Sequence, residues 1–149
     1  MPRLSSGILL FRRAPELQVL LGHMGGPFWA KKDEHAWSIP KGEHGPDEDA
    51  LAAARREFAE ETGSTAPEDL VPLGVVKGSK TLTVWAAEGD LDADAVVSNT
   101  FDLEWPPRSG RVQQFPEIDR AAWFDLATAR TKLVKGQLPF LDRLVDAVG

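Results

Sequence analysis

The stretch Gly42-Glu43-His44-Gly45-Pro46-Asp47-Glu48, followed after seven residues by Arg56-Glu57-Phe58-Ala59-Glu60-Glu61-Thr62-Gly63-Ser64, decides how this chain is read. The residues between Asp47 and Gly63 are mostly Ala, Leu, Arg and Glu, all good helix formers. Asp47 is placed to cap the helix, and Glu48 and Asp49 suit the positive end of its dipole. Gly63 stands where a helix C-terminus favours a residue with positive φ. At 3.6 residues per turn, Glu57, Glu60 and Glu61 fall at i, i+3 and i+4, so their carboxylates share one strip. Leu51, Ala54 and Phe58 lie beside that strip and face the core, which puts the acids at the border of the buried face.

Three carboxylates this close repel one another and weaken an isolated helix. Arg55 and Arg56 are candidates to offset the repulsion. A divalent cation is a stronger one, because clustered hard oxygen ligands suit Mg²⁺, Mn²⁺ or Ca²⁺. The segment from Asp47 to Glu61 holds six acids against two arginines, a net −4 within a chain of net −6. Such a patch repels a phosphate substrate unless metal ions stand between them, so the pattern points to metal-dependent phosphate chemistry. Seven specified residues at these positions would recur by chance less than about once in a million sequences of this length.

These residues resemble the Nudix box, G-x5-E-x7-R-E-U-x-E-E-x-G-U, where U is a bulky aliphatic residue. Gly42, Glu48, Arg56, Glu57, Glu60, Glu61 and Gly63 fill all seven fixed positions. Phe58 stands in for the first U and Ser64 departs from the second. Before the box, Trp37-Ser38-Ile39-Pro40-Lys41-Gly42 resembles the family's leading strand, and Glu117-Ile118 with Trp123-Phe124 resembles a common late segment.

The resemblance implies an α+β protein, an α/β/α sandwich on a mixed β-sheet, with residues 1–149 forming a single domain. It implies hydrolysis of a nucleoside diphosphate linked to a group X, by water attack on phosphorus. Mg²⁺ is the implied cofactor, with Mn²⁺ a possible substitute. Carried over to this chain, Glu57, Glu60 and Glu61 would hold the metal, and the backbone carbonyl of Lys41 or Gly42 would add a ligand. Arg56 would hold a glutamate in position by charge-assisted hydrogen bonds. Glu48 would brace the loop or reach a metal indirectly. Glu57 or Glu61 is favoured as the base, with Glu117 an alternative on a later loop. Lys41 is placed to reach a phosphate, and Phe28 and Trp29 are placed to stack on a base.

On substrate, Trp37-Ser38-Ile39-Pro40-Lys41-Gly42-Glu43 resembles members acting on dinucleoside polyphosphates, although this chain lacks the tyrosine common in that branch. The proline of ADP-ribose hydrolases is missing from the Lys77-Gly78-Ser79-Lys80 neighbourhood. No coenzyme A signature is present, and modified nucleoside triphosphates stay open. The alternatives are an ADP-ribose or nucleotide-sugar pyrophosphatase, or a nucleotide sensor without catalysis. Sensors usually lose box acids, and none is lost here.

The rest of the chain sets bounds. A hydrophobic fraction of 42% and a charged fraction of 27% over 149 residues describe one ordinary soluble domain. The absence of cysteine removes disulfides, thiolate zinc sites and Cys nucleophiles, and suits a cytoplasmic protein. No apolar run approaches the roughly 18 residues that cross a bilayer. The acidic balance argues against long nucleic acid as a partner and leaves a small phosphorylated nucleotide. A monomer or homodimer is expected.

Residues 5–12 and 17–21 read as a hairpin around Ala14-Pro15-Glu16. Residues 22–34 read as loop and 36–39 as a strand stopped by Pro40. Residues 71–76, 81–87, 99–105 and 121–124 read as strands, and 126–135 and 138–148 as helices. Trp37, Trp85 and Trp123 read as core. His23, His35 and His44 read as loop residues. Lys31, Lys32, Arg108 and Arg111 are weaker phosphate candidates. Asp90, Asp92 and Asp94 alternate as in a calcium loop, but Ala95 and Phe101 replace the required Gly and Glu, so this segment reads as a turn.

Overall fold

A computed structural model describes residues 3–13 and 15–149; Ala14, in the expected turn, lies outside them. The apolar run Ile8-Leu9-Leu10-Phe11 sits in β1 (Arg3–Arg13), and all four side chains are buried. Strand side chains alternate between faces, so a run buried throughout must lie in a sheet covered on both sides. Leu9 and Phe11 enter one apolar cluster, while Ile8 and Leu10 enter another. The expected hairpin forms: β2 (Leu17–Met24) pairs antiparallel with β1, Phe11 opposite Val19 and Arg13 opposite Leu17.

β2 runs on to Met24, past the point where a loop is expected to start. Gly22 and His23 are paired on both edges, with Ser38 and Trp37 of β3 (Trp37–Ser38) and with Ala121 and Arg120 of a late strand. His23 is therefore a fully buried strand residue, its Nδ1 at 2.8 Å from Asp119 and its Nε2 at 2.6 Å from the Lys32 carbonyl. Partners from distant segments satisfy both ring nitrogens, which is why so polar a residue is tolerated there.

β4 (Lys41–His44) was not anticipated. Its residues are polar, but backbone bonds to the first half of β1, Gly7 opposite Lys41 and Leu4 opposite His44, hold it without an apolar face. The long helix α1 (Ala50–Thr62) follows and packs Ala54 and Phe58 against Ile8, Leu10 and Leu20. Its cap is Asp49, whose carboxylate accepts from the Ala52 amide at 3.0 Å, and not Asp47 as expected. The turn closed by the Glu48 amide on the Gly45 carbonyl keeps Asp47 and Glu48 outside the helix. Gly63 closes α1 with φ 77°, as expected.

β5 (Val71–Lys77) and β6 (Lys80–Glu88) form a second hairpin, and β6 lies parallel to β1. β7 (Thr100–Glu104) and β8 (Val112–Pro116) make a separate two-stranded sheet. β8 was not anticipated, because its mostly exposed residues pair without burying an apolar face. Asp92 caps a single 3-10 turn at Ala93–Ala95.

β9 (Ile118–Asp125) returns to β2, and α2 (Leu126–Lys132) and α3 (Pro139–Val148) close the chain. Phe140, Leu141 and Leu144 of α3 cover the face carrying Leu9 and Val19, opposite α1. The main sheet runs β3-β2-β1-β6-β5, with β4 added to β1 and β9 to β2. Helices on both faces of a mixed sheet make the expected α/β/α sandwich. Trp37 is core, and Trp85 and Trp123 are half-buried against the α1 side. Among the described residues, no helix is long and apolar enough to cross a membrane.

Candidate active site

α1 lies beside β4, so the strip of glutamates faces the strand that precedes the helix. Together they wall a cavity of about 270 Å³, lined by Lys41, Gly42 and Glu43 of β4 and Glu57, Glu60 and Glu61 of α1, with Lys80, Asn99, Thr100 and Glu117. Five carboxylates and two lysines thus meet in one place. Glu57 and Glu61 are buried, at 9% and 7% exposure, and not at the border of the core as the helix projection suggested. β4 covers them from the side.

Arg56 organises the acids. Its Nε and Nη2 each donate to a Glu48 carboxylate oxygen at 2.9 Å, a bidentate clamp between the helix and the turn before it. Its Nη1 donates to Glu57 Oε1 at 2.8 Å and to Glu60 at 3.2 Å. Arg55 plays no part in this network: its guanidinium donates to the carbonyls of Pro67 and Glu68. Arg56 holds the Glu48 carboxyl below its usual pKa, and these carboxylates hold the guanidinium charged.

Glu61 has no such partner. Among the described residues, only two buried side-chain atoms lack a hydrogen-bond partner, Glu61 Oε2 and Ser5 Oγ. Burial pushes the Glu61 carboxyl up to about 8, with the charges of Glu117 and Glu57 adding to it and Lys41 opposing. Burial also raises Glu57, against the hydrogen bond from Arg56, and raises Glu117, against Lys41 and Lys80. Lys41 is lowered by burial and then by the nearby Lys80 charge. Each group gains from a neighbour of opposite charge, and the acids outnumber the lysines. Among the described residues, no three His, Asp or Glu side chains converge closely enough to hold a metal ion as they stand. Arg56 occupies the space between Glu57 and Glu60.

Gly42 and Glu117 show how distant segments are fitted to the helix. A Cβ on Gly42 would overlap the Glu57 carboxylate where it stands, so glycine here leaves that carboxylate its place against β4. Glu117 joins β8 to β9; its amide donates to the Asn99 carbonyl at 2.8 Å and its carbonyl accepts from Gly25 at 3.0 Å. Asn99 in turn donates its amide to the Glu60 carbonyl at 2.9 Å. The glutamate on the late loop is therefore tied by backbone bonds to the end of α1.

Of the residues singled out in the sequence, Lys41, Gly42, Glu57, Glu60, Glu61 and Glu117 line this cavity, and Arg56 and Glu48 stand behind it. Phe28 and Trp29 do not line it. Trp29 packs against the core with Lys32 over its ring, and Phe28, 59% exposed, meets Trp105 edge-on at 5.2 Å. His35 bonds the Leu133 carbonyl and His44 the Ser6 hydroxyl. Glu43, Lys80, Asn99 and Thr100 were missed. Lys80, adjacent to a Gly-Ser turn, and Glu43, next to Gly42, had weak signals; Asn99 and Thr100 had none, since only chain packing brings them here.

The whole-chain comparison agrees with this geometry. A family model described as the NUDIX domain matches residues 1–144. The chain belongs to the NUDIX family. It is a Nudix pyrophosphohydrolase with every fixed acid of the box retained. A comparison with curated proteins gives no significant match. Among solved structures, an Ap4A hydrolase of C. elegans in a binary complex is 23% identical, with a TM-score of 0.63 and 96% of each chain covered. The NUDIX domain of Shewanella oneidensis NrtR, complexed with ADP ribose, is 17% identical with a TM-score of 0.67, covering 100% of this Nudix chain and 90% of that one. A mutT/nudix family protein of Listeria innocua is 22% identical with a TM-score of 0.64, covering 99% and 95%. At these identities the likeness concerns the Nudix fold.

Proposed function

We propose that this Nudix protein hydrolyses a phosphoanhydride bond in a nucleoside diphosphate linked to X, a dinucleoside polyphosphate or a nucleoside triphosphate, with Mg²⁺ or Mn²⁺ as cofactor. The observation that carries the reading is Glu61 Oε2, buried beside Glu57 and Glu117 without a hydrogen-bond partner. A buried carboxylate oxygen left unbonded is costly, and a hard divalent cation is the partner its chemistry suits. Gly42, which leaves the Glu57 carboxylate room against β4, supports the same fit.

In this reading Glu57, Glu60 and Glu61 would hold the metal, with the Lys41 or Gly42 carbonyl as a further ligand. When bound, a divalent cation neutralises phosphate charge and lowers the pKa of a coordinated water. Lys41 and Lys80, which line the same cavity as the acids, attract the phosphates. Glu57 or Glu61, or alternatively Glu117, accepts the proton of the attacking water as its oxygen bonds phosphorus and the bridging oxygen leaves. Arg56 and Glu48 are positioning residues, fixing Glu57 and Glu60 while the rest of the site is crowded with like charge. Phe28 and Trp29 would meet a base only beyond the phosphates held in the cavity.

The likeness to an Ap4A hydrolase, with 96% of both chains covered, puts diadenosine polyphosphates first in the test. ADP-ribose, nucleotide sugars, and ordinary and oxidised triphosphates complete the panel, each assayed with Mg²⁺ or Mn²⁺ and with chelator. The expected result is metal-dependent product release from a dinucleoside polyphosphate or a triphosphate. Tight binding of one compound without turnover of any would favour the sensor instead.

A further inference from the structure

The segment between the Ala93–Ala95 turn and β7 is fastened on two sides. The Val97 and Asn99 amides donate to the Thr62 and Glu60 carbonyls, at 3.2 and 2.9 Å, in the last turn of α1. Ser98, between them, reaches the start of β9. Its hydroxyl accepts from the Ile118 amide at 3.0 Å. It can donate its one proton to the Ile118 carbonyl at 3.1 Å or to the Asn99 carbonyl at 2.8 Å. The main sheet is irregular at this point. His23 faces Arg120 and Met24 faces Ile118, so Asp119 is an extra residue, a bulge that interrupts the ladder beside Ile118.

Glu117 precedes Ile118, and its carboxylate lines the cavity, where it adds to the charge felt by Glu61 and is attracted by Lys41 and Lys80. Ser98 does not line that cavity. We propose that Ser98 is a positioning residue, whose hydroxyl fixes the bend at Glu117 and Ile118 against the end of α1 and so sets the Glu117 carboxylate for the reaction. The inference rests on the hydrolase reading and gives Glu117 a part in turnover. Without the hydroxyl, the amide of Ile118, a residue 8% exposed, loses this partner. Glu117 then keeps only its own backbone bonds, to Asn99 and Gly25. Those bonds restrain the main chain on either side of Glu117 and leave the bend free to rotate. A reacting carboxylate tolerates little of that, since a displacement of about 1 Å costs on the order of a hundredfold in rate.

The test compares Ser98→Ala, Ser98→Thr, Glu117→Gln and the double variant Ser98→Ala with Glu117→Gln. Steady-state kinetics with Mg²⁺ use the compound of the nucleotide panel that the wild type cleaves fastest. Ser98→Ala is expected to lower kcat about tenfold, with KM little changed. Ser98→Thr, which keeps the hydroxyl, should stay near wild type. Glu117→Gln should lower kcat, and adding Ser98→Ala to it should change kcat by less than about twofold. A hydroxyl that only stabilised the fold would lower kcat by the same factor in both backgrounds. Amide hydrogen exchange, followed by NMR, reads the bend without turnover. In Ser98→Ala the Ile118 amide should exchange about fivefold faster or more, with Ile8 to Phe11 of β1 unchanged and Ser98→Thr as wild type.

Wild-type kcat in Ser98→Ala, an equal loss in both backgrounds, full activity of Glu117→Gln, or unchanged exchange at Ile118 would each overturn the proposal. Failure of the hydrolase reading looks different: the wild type cleaves no compound, or cleaves as well in chelator, while the faster exchange at Ile118 in Ser98→Ala and its rescue by threonine persist.

Discussion

Gly42 lies so close to Glu57 that a β-carbon at position 42 would occupy the place of its carboxylate. The contact is between the strand that precedes the helix and the helix itself, and it is made by a residue with no side chain. The obstructed atoms belong to the far end of a flexible side chain, so the fold can yield where the site cannot. Gly42→Ala is therefore expected to remain folded, with unfolding free energy lowered by no more than about 1–3 kcal/mol. Its turnover should fall by about a hundredfold or more, since small displacements of reacting groups are that costly. Circular dichroism with steady-state kinetics checks both; full activity would show that Glu57 does not need its present position.

Replacing Glu60 or Glu61 by glutamine tests the carboxylate site directly. Each variant should fold and lose nearly all turnover on the substrate of the wild-type enzyme. Full activity in both would sink the proposed mechanism.

The metal-free protein should also show a characteristic dependence on pH. The Glu61 carboxyl sits at about 8 in the folded chain against an ordinary 4.5, so folding favours its protonated form. Its contribution to stability is then fully present below about pH 4.5 and is lost as pH rises through about 8. Glu57 and Glu117 shift in the same direction, while Arg56 and Lys41 oppose them. In chelator, urea unfolding should show stability falling between pH 5 and 8. Glu61→Gln should remove part of that fall and be more stable than wild type at pH 8, by an amount on the order of 1–3 kcal/mol. A flat profile in wild type, or no gain in the variant, would contradict the burial argument.

Arg56 makes its contacts through a planar fork, two bonds to Glu48 and others to Glu57 and Glu60. Lysine keeps the charge and loses the bidentate geometry. Arg56→Lys should lower kcat about ten- to a hundredfold, by analogy with residues that orient metal ligands, and raise the Mg²⁺ concentration needed for half-maximal rate. An unchanged metal requirement would confine Arg56 to a structural role.

The start of α1 can be tested through stability. Asp49 accepts from the Ala52 amide, so Asp49→Ala should cost about 1 kcal/mol. Asp47, outside the helix, should tolerate alanine within about 0.5 kcal/mol. Chemical denaturation of both variants would distinguish the caps.

The glutamate strip, the αL glycine and Arg56 were legible because helical periodicity is local: spacing alone places Glu57, Glu60 and Glu61 together and Gly63 at the end. The buried run Ile8 to Phe11 likewise shows its strand without help from partners. β4 and β8 were not legible, since their polar residues are held by backbone pairing to strands elsewhere in the chain. His23 reads as a loop residue until Asp119 and the Lys32 carbonyl are brought to its two nitrogens. Asp47 and Asp49 are equally good caps by type, and the turn from Gly45 to Glu48 chooses between them.

By itself, then, the sequence determined the helix, its acids and the family they resemble, because those depend on residue type and on spacings of a few positions. Tertiary structure decided which groups share a cavity with them. Lys80, Asn99 and Glu117 come to the cavity that holds Glu61 from segments far along the chain, held there by strand pairing and backbone bonds. It also decided how deeply Glu57 and Glu61 are buried, and burial sets their charge: the same glutamate is an ordinary acid on an exposed helix and one pushed up to about 8 behind β4.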